Sequence, residues 1–210
     1  MTDKEKQKTF DDIFGDIKPR GEHGSSVLTF IMGHPGVGKT CLAVSAQELG
    51  KCVLINFENR IAHIDETSNL RFVPTSRGEF REDKICSYKQ FISFINWFLD
   101  NEVKANYIII DTIDSMFDEF LKYHKPFFKD QRQAYGVVYD ELQNIFKRLK
   151  DSGCNIICTS HVLNDNVIDR LTISLNEKLR NKINALTDNI FYYESLEDET
   201  RILQLKSDSK

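Results

Sequence analysis

Eight consecutive residues, Gly33-His34-Pro35-Gly36-Val37-Gly38-Lys39-Thr40, carry the most chemistry in the chain. They follow the G-x-x-x-x-G-K-[ST] spacing of a loop that cradles phosphates. Glycines let the backbone curl until several N–H groups converge on one phosphate chain. A helix opening directly behind the loop, through Lys39, Thr40 and Cys41, adds the positive end of its dipole. Lys39 is placed to reach the terminal phosphates, and the Thr40 hydroxyl is a ligand type that Mg²⁺ accepts. Residues 33–41 are therefore the candidate nucleotide-binding set, and the ligand they imply is a nucleoside triphosphate.

Three further positions suit that chemistry. Asp111 ends the apolar run Tyr107-Ile108-Ile109-Ile110, as a carboxylate must if it is to support the metal through a water opposite Thr40. Glu58 ends the run Cys52-Val53-Leu54-Ile55-Asn56-Phe57; it reads either as the base that activates water or as a surface carboxylate closing a strand. Thr159-Ser160-His161 ends a third run, where His161 or Ser160 could sense the γ-phosphate or play a structural part. Asp114 reads as the cap of the next helix.

Positioning these groups requires strands ending at one edge of a sheet. Val27 to Met32, Cys52 to Phe57, Leu70 to Thr75, Asn106 to Ile110 and Cys154 to Thr159 are short apolar runs of the kind buried in parallel sheets. Between them, residues 41–49, Tyr88 to Leu99, Met116 to Tyr123 and Tyr135 to Lys150 repeat apolar residues at helical spacing, and Leu175 to Leu186 reads as a last helix. The segment from Ser76 to Ser87 reads as a charged loop and Val162 to Ile173 as a polar, mobile one. Residues 189–193 and 200–205 read as a closing hairpin. Residues 1–25 read as a leader with a small apolar cluster at Phe10, Ile13, Phe14 and Ile17, residues 26–206 as one domain, and 207–210 as a disordered tail.

The chain has 210 residues, 40% hydrophobic and 29% charged, enough to bury one substantial core. No window is long and apolar enough for a membrane span, and the first residues lack a signal peptide's apolar centre, so a cytoplasmic location with no membrane contact is expected. Cys154 and Cys158 would stand about 13 Å apart along a strand, too far for a disulfide. No paired C-x-x-C spacing suggests zinc. The net charge of −4 gives no global support for nucleic-acid binding. A local candidate exists: Lys122, Lys125, Lys129 and Arg132 interleave with Tyr123, Phe127 and Phe128, a composition suited to single strands and equally to a helix whose aromatics pack inward.

In the order P-loop, Glu58, Asp111, Thr159-Ser160-His161 and terminal hairpin, the chain resembles the RecA-like ATPases. It looks most like the compact phage nucleotide-binding proteins of that group, some of which are single-strand annealing recombinases. The resemblance spans roughly Val27 to Leu205. It implies a mostly parallel central sheet flanked by helices with a C-terminal hairpin, and ATP and Mg²⁺ as cofactors. It implies that Glu58 activates water and that His161 links the γ-phosphate to a DNA-contacting loop. Residues 122–134 and 162–174 would occupy the positions of two mobile DNA loops. The implied partners are single-stranded DNA, further copies in a homo-oligomer, and a single-strand-binding or replication protein; the implied setting is phage recombination or replication in a host cytoplasm. Lys178, Arg180 or Lys182 would complete a neighbour's site. The second loop, Asn164 to Arg170, is not basic, so annealing or an accessory role fits better than strand exchange.

A helicase loader or remodelling ATPase of the AAA+ kind is the main alternative, although such proteins usually add a helical lid. A nucleotide-gated assembly module with little turnover is another. A GTPase fits poorly, because Asn181-Lys182-Ile183-Asn184 lies in a helical pattern and lacks the guanine-reading aspartate.

Overall fold

The computed structural model describes residues 26–58, 63–73, 85–101, 105–165, 170–196 and 200–205. The expected leader (1–25), the end of the Leu70 to Thr75 run, most of the charged loop after it, the hairpin turn (197–199) and the tail (207–210) lie outside these.

Strands β1 (Leu28–Gly33), β2 (Cys52–Asn56), β3 (Leu70–Val73), β4 (Tyr107–Asp111), β5 (Asn155–Asp165), β6 (Arg170–Ile173), β7 (Asn189–Ser195) and β8 (Arg201–Leu205) form one sheet. Its order is β3-β2-β4-β5-β1-β7-β8, with β6 paired to β5. Every pairing is parallel except β5–β6 and β7–β8. The expected mostly parallel sheet, flanked by helices and closed by a C-terminal hairpin, is thus observed.

The central strands β1, β2 and β4 are almost entirely buried because helices cover both faces of the sheet there, whereas β8 at the edge is largely exposed. Helices α2 (Tyr88–Asp100), α3 (Ile113–His124), α4 (Arg132–Asp151) and α5 (Glu177–Asn184) share one core with Phe30, Met32, Ile55, Ile108, Ile110 and Ile156. Alternate residues, Ile31, Leu54 and Ile109, face the other way onto Ala43 and Val44 of α1 (Lys39–Val44). That two-residue alternation lets one isoleucine-rich strand serve two layers. Phe120 and Phe146 are fully buried, and truncating either to alanine should cost about 3–5 kcal/mol.

Local signals explain the helix starts. Ser87 caps α2 and forms a reciprocal box with Gln90. The cap of α3 is Thr112, whose hydroxyl accepts from the Ser115 N–H; Asp114, expected to be that cap, sits in the first turn of the helix. Gly153, at φ 71°, follows the end of α4.

Three expectations are corrected. Helix α1 stops at Val44 and gives way to a 3₁₀ turn, Ser45–Glu48, rather than running to residue 49. Residues 162–165 and 170–173 are not a polar loop: β5 continues to Asp165 and pairs antiparallel with β6, whose Ile173 is buried. Residues 122–134 are not one loop either. Lys122 to His124 finish α3, Lys125–Phe127 is a 3₁₀ turn and Arg132 opens α4. Tyr123 is held there by stacking on Tyr88, with ring centroids 3.9 Å apart. None of the five cysteines is in a disulfide. Among the described residues, no helix is long and apolar enough to cross a membrane.

Candidate functional site

Four adjacent strands deliver the site. In the lateral order β2, β4, β5, β1 the C-terminal edge of the parallel pairing carries Glu58 just beyond β2, Asp111, His161 where β5 stops pairing with β1, and the glycine-rich loop. Register aligns them: Asn56 pairs with Asp111, and Gly33 with His161. The Phe57 N–H donates to the Asp111 carbonyl at 2.6 Å, which draws the residue after β2 toward β4. A crevice beyond the carboxyl ends of parallel strands is where open α/β sheets bind ligands.

The loop between β1 and α1 takes the backbone that its glycines permit. Gly38 has φ 95° and stands as the N-cap of α1. At Gly33 the constraint is a close approach: a Cβ there would lie 2.2 Å from the Tyr193 carbonyl oxygen of β7. His34, Pro35 and Gly36 are exposed at the loop's tip, and Val37 packs toward the α1 side of the sheet. Lys39 is 7% exposed, and its ammonium donates to the carbonyls of Gly33 and His34 at 2.9 Å each. It therefore lies at the loop's mouth, where a phosphate would compete for the same protons. Cys41 is exposed in the first turn of α1, with its Sγ 3.4 Å from His63 Nε2.

Thr40 and Asp111 meet. The Thr40 hydroxyl lies 3.1 and 3.0 Å from the two Asp111 carboxylate oxygens. Asp111 is 1% exposed and also accepts from Thr159, which comes from β5. Burial pushes its carboxyl above the ordinary value, while the two hydroxyl donors and Lys39 pull the other way. A hydroxyl beside a buried carboxylate is an all-oxygen donor set, suited to a hard cation such as Mg²⁺.

Glu58 stands next to this pair. The hydroxyls of Thr112 and Ser115 lie 3.0 and 3.2 Å from its Oε1, and His161 Nε2 lies 3.6 Å from the same oxygen. The other ring nitrogen, His161 Nδ1, is hydrogen-bonded to Asp114 Oδ2. That bond holds the imidazole above its ordinary pKa; burial opposes it, and the charges of Asp114 and Glu58 reinforce it. Glu58, Asp114 and His161 present ligand atoms all within 4.8 Å of one another, yet each of the three already has a protein partner. The imidazole thus stands between two carboxylates, hydrogen-bonded to Asp114 and 3.6 Å from Glu58.

The structure thus brings together Lys39, Thr40, Asp111, Glu58 and His161. Asp114, Thr112, Ser115 and Thr159 were not foreseen as site residues. A hydroxyl or carboxylate within four positions of Asp111, or two before His161, is the signal that could have found them. Arg201 was also missed: its Nη1 would lie 3.4 Å from a Cβ at Gly38, which puts a guanidinium from β8 against the phosphate loop. The three basic residues considered for a neighbour's site engage their own chain. Lys178 lies over the Tyr139 ring, Arg180 donates to the Thr172 hydroxyl at 2.9 Å, and Lys182 pairs with Asp140.

Comparison with known proteins bears on this geometry. The sequence model of the family described as AAA domain matches residues 26–210, and a search of curated proteins gives no match. The match names neither single-stranded DNA nor recombination. It covers the sheet, the phosphate loop and the terminal hairpin together, and the chain belongs to the AAA domain family, a P-loop family of nucleotide-binding ATPases.

Proposed function

We propose that this chain is a RecA-like, Mg²⁺-dependent ATPase that works as a homo-oligomer on single-stranded DNA, in phage recombination or replication. One observation carries the hydrolytic part of this reading: Glu58 Oε1 lies 3.6 Å from His161 Nε2, at strand ends next to the Thr40–Asp111 pair. A surface carboxylate closing a strand would have no reason to be ringed by Thr112, Ser115 and His161.

In this mechanism Lys39 and the loop N–H groups bind the β- and γ-phosphates of ATP. Thr40 and Asp111 would hold Mg²⁺, which when bound supplies neutralising charge to the phosphate oxygens. Glu58 orients the attacking water and accepts its proton at Oε1. His161 presents Nε2 toward Glu58 and reports the occupancy of the phosphate site through the root of the β5–β6 ribbon. Lys122 and Arg132, both exposed, and the exposed Phe127 support the DNA part, since phosphates and unstacked bases need cations beside aromatics.

The test is ATP hydrolysis with and without single-stranded DNA at two salt concentrations. Stimulation that fades as salt rises supports phosphate contacts, because released counterions make such binding salt-sensitive. Hydrolysis without stimulation, and without DNA binding in the presence of ATP, removes DNA. It then favours a loader or remodelling ATPase acting on a protein, the reading to which the AAA domain match lends weight.

A further inference from the structure

Asp114 lies outside the phosphate loop and outside the metal pair, yet it is the most heavily engaged carboxylate of the cluster. Its Oδ2 accepts from His161 Nδ1. Its Oδ1 lies 2.9 Å from the Ser160 hydroxyl and 3.3 Å from the His161 backbone N–H. One side chain in the first turn of α3 thereby grips both the ring and the backbone of the last residue before the β5–β6 ribbon. At the same junction the Ser174 N–H donates to the His161 carbonyl at 3.0 Å, which ties the far end of the ribbon to the same residue.

We propose that Asp114 is a positioning residue for the phosphate site: it fixes the tautomer and orientation of His161, so that Nε2 and not Nδ1 is presented to Glu58. This rests on the reading of Glu58 and His161 given above. The argument is one of donors and acceptors. An ionised carboxylate accepts only, so Nδ1 must carry a proton to bond Asp114. With Nδ1–H committed, Nε2 is the atom left for the Glu58 and phosphate side, and the ring cannot flip without breaking the bond to Asp114. A histidine whose second nitrogen is so anchored keeps its geometry through a reaction cycle; where such a histidine binds a metal, loss of the anchor typically costs about 10–100-fold, and a loss of that order is expected here. A structural cap would leave Asp114 bonded to the N–H groups of its own helix, a role that Thr112 already fills.

The test combines a spectrum and kinetics on the full chain. In the nucleotide-free protein labelled with ¹⁵N-histidine, the His161 Nδ1 signal should be that of a protonated, hydrogen-bonded nitrogen. Asp114→Asn should shift it, while retaining the parent's circular dichroism. The same variant should lose about 10–100-fold in kcat for ATP with KM changed less than about threefold, and Asp114→Glu should recover part of the loss. A parent spectrum with Nε2 protonated and Nδ1 bare overturns the proposal whether or not any variant folds. So does an Asp114→Asn variant with parental kcat. If instead Glu58→Gln hydrolyses ATP at the parental rate, the hydrolytic reading fails on its own, and the nucleotide-free spectrum still decides what Asp114 does to His161.

Discussion

The Thr40 hydroxyl lies 3.0 Å from the Asp111 carboxylate, although the two residues are separated by 71 positions in the chain. Strand order achieves this by inserting β4 and β5 between β2 and β1, so that the end of β4 faces the start of α1. The arrangement has a cost. Asp111 is buried, and burial disfavours its ionised form. An acid whose folded pKa is raised makes the fold less stable at pH values where it must ionise. Asp111→Asn should therefore raise the melting temperature of the nucleotide-free protein at pH 7.5, by about 2–4 °C for each kcal/mol recovered. The same variant should lose the Mg²⁺-dependent rise in melting temperature that ATP produces. A thermal scan with and without MgATP reads both effects, and a variant less stable than the parent would contradict the first.

Glu58→Gln keeps the shape of the side chain and one hydrogen-bond acceptor for Thr112 and Ser115, but it cannot take a proton from water. Turnover should fall by about 10²–10⁴-fold, with ATP affinity nearly unchanged. Single-turnover hydrolysis beside equilibrium binding of a labelled nucleotide separates the two. Weaker binding with unchanged turnover would instead assign Glu58 to nucleotide binding.

How much of this site was legible before folding depends on the range of the interaction that defines each residue. The phosphate loop was legible because its geometry is local: the residues from Gly33 to Thr40 set their own backbone. The placement of Asp111 and Glu58 beside the loop was legible because a strand ending in an acid, common by itself, suits the metal's need for a carboxylate once a complete phosphate loop is present. For Glu58 a surface carboxylate fitted the sequence equally well, since its partners Thr112 and Ser115 come from more than fifty positions away. Asp114 was misread because an aspartate near a helix start looks like a cap, and only the neighbouring strand β5 reveals its partners Ser160 and His161. The β5–β6 ribbon was misread for a similar reason. Its polar residues suggest a loop, and the buried side of Ile173 is defined by a core assembled from elsewhere in the chain. Tyr123 and Phe128 at the end of α3 and beyond likewise take their places from the core and from Tyr88, not from their sequence neighbours.

Two glycines of the loop should fail in different ways when given a methyl group. Gly33→Ala places a Cβ 2.2 Å from the Tyr193 carbonyl oxygen, backbone against backbone, where nothing flexible can yield. The β1–β7 pairing must open, at a cost of about 3 kcal/mol. Gly38→Ala meets only the Arg201 guanidinium, at 3.4 Å, and pays mainly for φ 95°. Its cost should be about 1 kcal/mol, with a larger loss in ATP binding than in stability. Urea unfolding of both variants, paired with nucleotide titration, ranks them; equal destabilisation would show that the Tyr193 contact does not limit Gly33.

An imidazole set between two carboxylates predicts a pH dependence whose sign follows from His161. Its pKa is raised above the ordinary 6.5 because the protonated ring bonds Asp114 and faces Glu58, with Lys39 and burial opposing. A base with a raised folded pKa contributes stability that is fully present below about pH 6.5 and is lost as pH climbs through the higher folded value. His161→Gln removes the titration while preserving a hydrogen-bonding side chain. The parent should exceed this variant in melting temperature most at pH 6, by an amount worth about 1 kcal/mol for a partly exposed pair, and the gap should close by pH 9. Thermal scans of both proteins across that range supply the measurement. A gap that widens with rising pH would mean that the neutral imidazole, not the imidazolium, is the form the fold prefers.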